Sequence, residues 1–271
     1  MKQLRFRVSG LVLNCVDYGG EGLPPLLFIH GGSAHAHWWD FVAPAFTNDF
    51  HVLALDQRGH GDSEWCSEWA YGSRHYLADL DAVIDTWELG APVLVGHSMG
   101  AHNVLLYAAT HPEKLRALVA VDSPLDYPAQ AVEALRSFAG KPPRLYASLD
   151  DACANFRVLP RETLGRPEIM GHVARLSYQR LDNGQWTHKV DRRTLNREPL
   201  ELGPILSRIT CPALLVRVKQ SRVLDLEVAR RMAATLAQGR VAELDNSFHH
   251  AMLDNPEGLV VILREFFATL R

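Results

Sequence analysis

Short apolar runs alternate with helical periodicities along most of the chain. Two alternating segments, residues 4–8 (LRFRV) and 11–17 (LVLNCVD), meet at Ser9-Gly10 and predict a hairpin at a sheet edge. The runs at 25–30 (PLLFIH) and 51–56 (HVLALD) do not alternate, the pattern of parallel strands covered on both faces. Leu77, Leu80, Val83, Ile84 and Trp87 recur at helical spacing, and Gly90 with Pro92 ends that helix. Residues 93–96 (VLVG) predict a strand, 99–110 a helix stopped by His111-Pro112, and 115–122 (LRALVAVD) another buried strand. Further on come a strand at 212–218, a helix over 226–236 with Asp225 as its N-cap, a last strand at 241–244 and a terminal helix over 257–270. This β-α-β alternation predicts an α/β fold with a doubly wound, mostly parallel sheet and helices on both faces.

From residue 123 to 204 the pattern changes. Charges are frequent, Gly140, Pro142, Pro143, Pro160, Gly165 and Pro167 interrupt, and no run reads as a buried strand. The expected organisation is a core of residues 1–124 and 205–271 carrying a mostly helical cap inserted at 125–204.

Composition narrows the partners. Lys plus Arg total 28 against 31 Asp plus Glu, a net charge of −3, so there is no basic excess to neutralise nucleic-acid phosphates or an anionic membrane surface. A small organic substrate is the expected partner. The four cysteines, Cys15, Cys66, Cys153 and Cys211, form no CxxC pair, which argues for reduced thiols rather than a zinc or redox site. The N-terminal stretch lacks the apolar segment of a signal peptide, and no window approaches the ~18 apolar residues of a membrane span, so a cytoplasmic location is expected.

The sharpest chemical signal is Gly96-His97-Ser98-Met99-Gly100, a G-x-S-x-G between a strand and a helix. Such a turn holds a serine exposed in a strained conformation, with small flanking residues that let strand and helix approach. His30-Gly31-Gly32 follows an earlier strand whose loop opens on the same crevice. Taken alone, either is an ordinary glycine-rich turn. Together they point to an oxyanion hole formed by the N–H groups of Gly32 and Met99. A serine nucleophile needs a base, and His249 and His250 follow the last strand.

With His30-Gly31-Gly32, the segment Asp56 to Ser63 (DQRGHGDS), the elbow, and a C-terminal histidine followed by Pro256-Glu257, the chain resembles the α/β-hydrolase superfamily over nearly its whole length. The resemblance implies an eight-stranded sheet, a structural role for Asp56 to Ser63, and His249 as the base, since the family's histidine stands seven residues before the proline. His250 then becomes a neighbour in the substrate pocket. The family's usual acid position is occupied here by Arg222, and Asp225 reads as the helix cap. A minority of the superfamily, including some dehalogenases, the cofactor-free quinolone dioxygenases and the acetamidomethylene-succinate amidohydrolases, carries its acid after the strand that follows the elbow helix. That position is Asp122, and GHSMGAHN and LVAVD are similar to the last of these groups.

The implied activity is a cofactor-independent serine hydrolase acting on an ester, thioester, lactone or amide through Ser98, His249 and Asp122 and an acyl-enzyme. His35-Ala36-His37 with Asp40 lacks the further ligand a metal site needs, so no metal is expected. His35, Trp38, His102 and Tyr127, the last beside Asp126, are expected in the pocket with His250. Three alternatives remain open: a cofactor-free dioxygenase, which retention of Gly96 disfavours; a C–C bond hydrolase of aromatic degradation, whose usual acid position holds Arg222; and a non-catalytic ligand-binding member of the fold.

Overall fold

Strands apolar on both faces assemble at the centre of one sheet in the computed structural model, which describes residues 1–8, 10–127, 129–196 and 201–270. Ser9 of the expected hairpin turn and residues 128 and 197–200 of the expected insertion lie outside the described residues. In chain order the strands are β1 (Lys2–Val8), β2 (Leu11–Gly19), β3 (Pro25–Ile29), β4 (His51–Asp56), β5 (Val93–His97), β6 (Ala117–Val121), β7 (Tyr178–Arg180), β8 (Trp186–His188), β9 (Pro212–Val218) and β10 (Gln238–Leu244). The helices are α1 (Ser73–Thr86), α2 (Met99–Thr110), α3 (Ala129–Ala139), α4 (Leu149–Ala154), α5 (Pro167–Leu176), α6 (Leu226–Thr235), α7 (Ala251–Asp254) and α8 (Pro256–Ala268).

Eight of the strands form the main sheet in the order β1-β2-β4-β3-β5-β6-β9-β10. The β1–β2 and β2–β4 pairs are antiparallel and the others parallel, as the alternation of elements predicts. Every residue of β5 and β6 is buried, which accounts for their unbroken apolar sequences. Successive residues of a strand face opposite sides, and the core divides accordingly. Leu27 and Ile29 of β3 join α1, α2 and α6 on one face, while Leu26 and Phe28 join Trp39 and the α8 residues Leu259, Leu263 and Phe266 on the other. β10 begins at Gln238, earlier than its apolar residues suggest, because Gln238–Arg240 complete the parallel ladder against Pro212–Leu214.

The mostly helical insertion expected at 125–204 also holds a short two-stranded hairpin. β7 and β8 pair antiparallel around Gly184 at φ +84°, with the Gly184 N–H donating to Leu181 O at 2.9 Å. Ala152, Ile169, Val173 and Tyr178 from this part of the chain continue the α8-side core. α3 differs: none of its residues is buried. Among the described residues no helix is long and apolar enough to cross a membrane.

Candidate active site

Ser98 joins β5 to α2 with φ +51° and ψ −116°, a conformation an L-residue holds only when its surroundings impose it. The glycines around it leave no alternative. A Cβ on Gly96 would stand 2.5 Å from Gly100 O, and one on Gly100 2.5 Å from His30 O, so a side chain at either position would drive strand and helix apart. Ser33 (φ +60°), Asp122 (φ +44°) and Asn246 (φ +51°) share the positive φ, and with Ser98 they follow β3, β6, β10 and β5 respectively. Backbone strain thus collects at the carboxyl ends of the strands, the edge on which doubly wound sheets build their sites.

Two side chains from different strand ends meet there. His249, in the loop after β10, places Nδ1 2.8 Å from Oδ2 of Asp122, which follows β6. Asp122 is wholly buried and His249 nearly so. Burial, reinforced by His250, holds the His249 ring far below the ordinary imidazole range. Burial also pushes the Asp122 carboxyl up to about 7, against the pull of Ser221, the Val218 backbone and Arg217. A neutral ring that donates its Nδ1–H to the carboxylate keeps Nε2 as an acceptor. The base loop is tied down from below, since His97 of the elbow donates Nε2–H to the His249 carbonyl at 2.9 Å and packs tilted against its ring, centroids 4.6 Å apart. Sequence reasoning gave His97 no role beyond its place in the motif.

The loop after β3 is held as firmly. His30 donates Nδ1–H to Gly31 O at 2.7 Å and accepts the Gln57 N–H on Nε2 at 3.0 Å, so the Asp56 to Ser63 turn supports the Gly31-Gly32 backbone. Asp56 itself accepts from Ala36 N–H, Asn14 and Asp62 N–H at 2.7 to 2.9 Å, a buried hydrogen-bond network. Gly32 lies against Met99, where an added Cβ would stand 3.8 Å from Sδ. The Met99 N–H opens α2 and has no intrahelical acceptor.

Ser98, His249, Gly32 and Met99 line one cavity of about 440 Å³. Trp38, His102, Tyr127 and His250, all expected at the pocket, line it too. His102 donates Nε2–H to Pro124 O at 2.7 Å and packs against Tyr127, while His250 donates to Pro160 O at 2.8 Å and so links the base loop to the insertion. His35 does not belong to the pocket: it is buried, bonded to Ser177 Oγ at 2.9 Å, and burial lowers its pKa. Asp126 is also elsewhere, its Oδ1 accepting from Leu202 N–H. Asp225 caps α6 through Glu227 N–H at 2.8 Å. Arg222, at the family's usual acid position, lines the cavity, as does a stripe on α3 formed by Ala131, Ala134, Leu135 and Phe138. That i, i+3, i+4, i+7 spacing was the available signal for the stripe, which faces the cavity instead of the core.

Asp40 is engaged by His37 at 3.0 Å, His172 at 2.6 Å and the Tyr18 hydroxyl, and among the described residues no group of three or more His, Cys, Asp or Glu is placed to hold a metal.

Comparison with known proteins places this geometry among relatives. Residues 24–164 match the family model described as the alpha/beta hydrolase fold. The chain is 25% identical over 261 residues to the 2-(acetamidomethylene)succinate hydrolase of Mesorhizobium japonicum, covering 93% of this chain and 90% of that protein. It is 29% identical over 269 residues to an esterase of Mycobacterium tuberculosis, covering 95% of this chain and 87% of the esterase. A crystal structure of E-2-(acetamidomethylene)succinate hydrolase superposes with a TM-score of 0.86 at 23% identity, over 98% of this chain and 99% of that one.

Proposed function

The chain belongs to the α/β-hydrolase family, and we propose that it hydrolyses an ester or amide bond of a small organic molecule through Ser98, His249 and Asp122. The observation that carries this reading is the 2.8 Å bond from His249 Nδ1 to Asp122, formed beside the cavity that the strained Ser98 lines. Named relatives of nearly full-length match are hydrolases, which agrees with it.

The chemistry follows from the protons. Ser98 Oγ attacks the substrate carbonyl while His249 Nε2, kept unprotonated by the Nδ1–H bond, takes the hydroxyl proton. Asp122 holds that tautomer and offsets the charge that develops on the ring. The carbonyl oxygen becomes an oxyanion, to which the N–H groups of Gly32 and Met99 donate. Collapse expels the alcohol or amine, which receives the proton from His249, and leaves an acyl-serine. Water then repeats the sequence, His249 again removing a proton, and releases the acid.

The test is labelling of Ser98 by a fluorophosphonate, read by mass spectrometry of the intact protein and its peptides. Stoichiometric modification at Ser98 is the expected result, absent in Ser98→Ala. A protein that stays unmodified while turning over an ester would refute the serine mechanism.

A further inference from the structure

An exposed arginine is ordinarily a solvated surface charge. Arg222 is exposed, yet three observations set it apart. Among the described residues lining the cavity it is the one with a permanent charge, and the other walls are largely apolar: Leu135, Phe138, Leu159 and Val223 stand with it. Its basic neighbours on β9 and the following loop are already paired, Arg217 with Glu243 at 2.9 Å and Lys219 with Asp245 at 2.7 Å. Arg222 has no ion pair or hydrogen bond among the described residues. The nearest acids in sequence are committed elsewhere, since Asp225 caps α6 and Glu227 pairs with Arg230 at 2.6 Å, and Asp122 is buried against His249.

A lone cation at the rim of an apolar cavity is attracted to an anion more strongly than on open surface, because the walls exclude water and focus its field. The guanidinium fork matches a carboxylate in two-point geometry. We propose that Arg222 is the anion-binding residue of this cavity, and that the molecule hydrolysed, on the reading of Ser98 given above, joins an apolar body to a carboxylate that pairs with Arg222. The seat that in most of the family belongs to the acid of the triad thus serves substrate selection here, the triad acid being carried by Asp122.

Binding and turnover test this separately. In the Ser98→Ala protein, calorimetry compares 4-phenylbutyrate with its neutral amide, 4-phenylbutanamide. The carboxylate is expected to bind roughly 5- to 30-fold more tightly at low salt, the preference shrinking in 0.5 M salt, disappearing in Arg222→Gln and partly surviving in Arg222→Lys. In the protein with Ser98 intact, the ratio of kcat/KM for p-nitrophenyl hemiglutarate over p-nitrophenyl hexanoate should fall by a similar factor on Arg222→Gln, chiefly through KM. Equal binding of carboxylate and amide, or equal weakening of both by Arg222→Gln, would overturn the assignment. A carboxylate preference that depends on Arg222 in a protein that hydrolyses neither ester would leave this assignment standing and count against the serine-hydrolase reading.

Discussion

The strand ends that carry Ser98, Asp122 and His249 and the α3 face that covers them are built by opposite rules. At the strand ends the backbone is over-determined: β5 and β6 are buried at every position, ten of the twelve α2 residues are buried, and Ser98 and Asp122 both sit at positive φ. α3 buries nothing and offers its apolar stripe to the cavity. Groups that must meet within a fraction of an ångström need a scaffold that cannot relax, whereas a surface that only has to fit a substrate's body needs no such rigidity. On the proposed reading, chemistry and selectivity are housed in different parts of the chain.

The contrast can be broken most sharply at the nucleophile. Ser98→Ala should fold normally and lose roughly 10⁴-fold or more in kcat, since only binding and the oxyanion donors remain. Substantial residual turnover would detach the chemistry from the elbow. The next largest effect tests the scaffold itself: Gly96→Ala forces a Cβ to 2.5 Å from Gly100 O and 2.6 Å from Ala101 N, both backbone atoms. A loss of about 3 kcal/mol or more, read by urea denaturation, is expected. A stability near that of the parent protein would show that the elbow can yield.

Acid should also strike the site region. Burial lowers the pKa of His30, His35, His97, His249 and His250 below 6.5 in the folded protein. The unfolded chain then binds more protons, so the stability these rings contribute is complete above about pH 6.5 and is lost as pH falls below it, each ring adding up to about 1.4 kcal/mol per pH unit. Asp122, raised to about 7, works in the opposite direction but is one group against five. Urea midpoints should therefore fall steeply from pH 7 to pH 5, and a flat profile would contradict the buried neutral rings. The smallest effect belongs to α3. Phe138→Ala should change KM for a phenyl ester by about 3- to 10-fold, with a thermal midpoint within a few degrees of the parent because the side chain is not part of the core. A large drop in the midpoint would make α3 part of the scaffold.

What the sequence disclosed divides along the same line. Unbroken apolar runs and the elbow glycines were legible because each is a local pattern with a local cause, whereas Asp122 was singled out only by resemblance to a minority of the family. His35 was misplaced since its partner, Ser177, lies 142 residues away and no local pattern announces the bond. The β7–β8 hairpin escaped notice because strands of three residues are too short to show alternation, although Asp182-Asn183-Gly184 is a turn signal. The state of Arg222, at the cavity with no ion pair among the described residues, depends on Glu243 and Asp245 taking its neighbours, which only the β9–β10 register reveals.

The central claim is that the triad acid stands after β6 rather than after β9, and the kcat of Asp122→Asn against that of Asp225→Asn tests it directly. Asparagine at 122 cannot hold the required tautomer, so kcat should drop roughly 10²- to 10⁴-fold with the fold intact, while asparagine at 225 still caps α6 and should leave kcat and the thermal midpoint nearly as they were. Activity retained in Asp122→Asn and lost in Asp225→Asn would contradict the account.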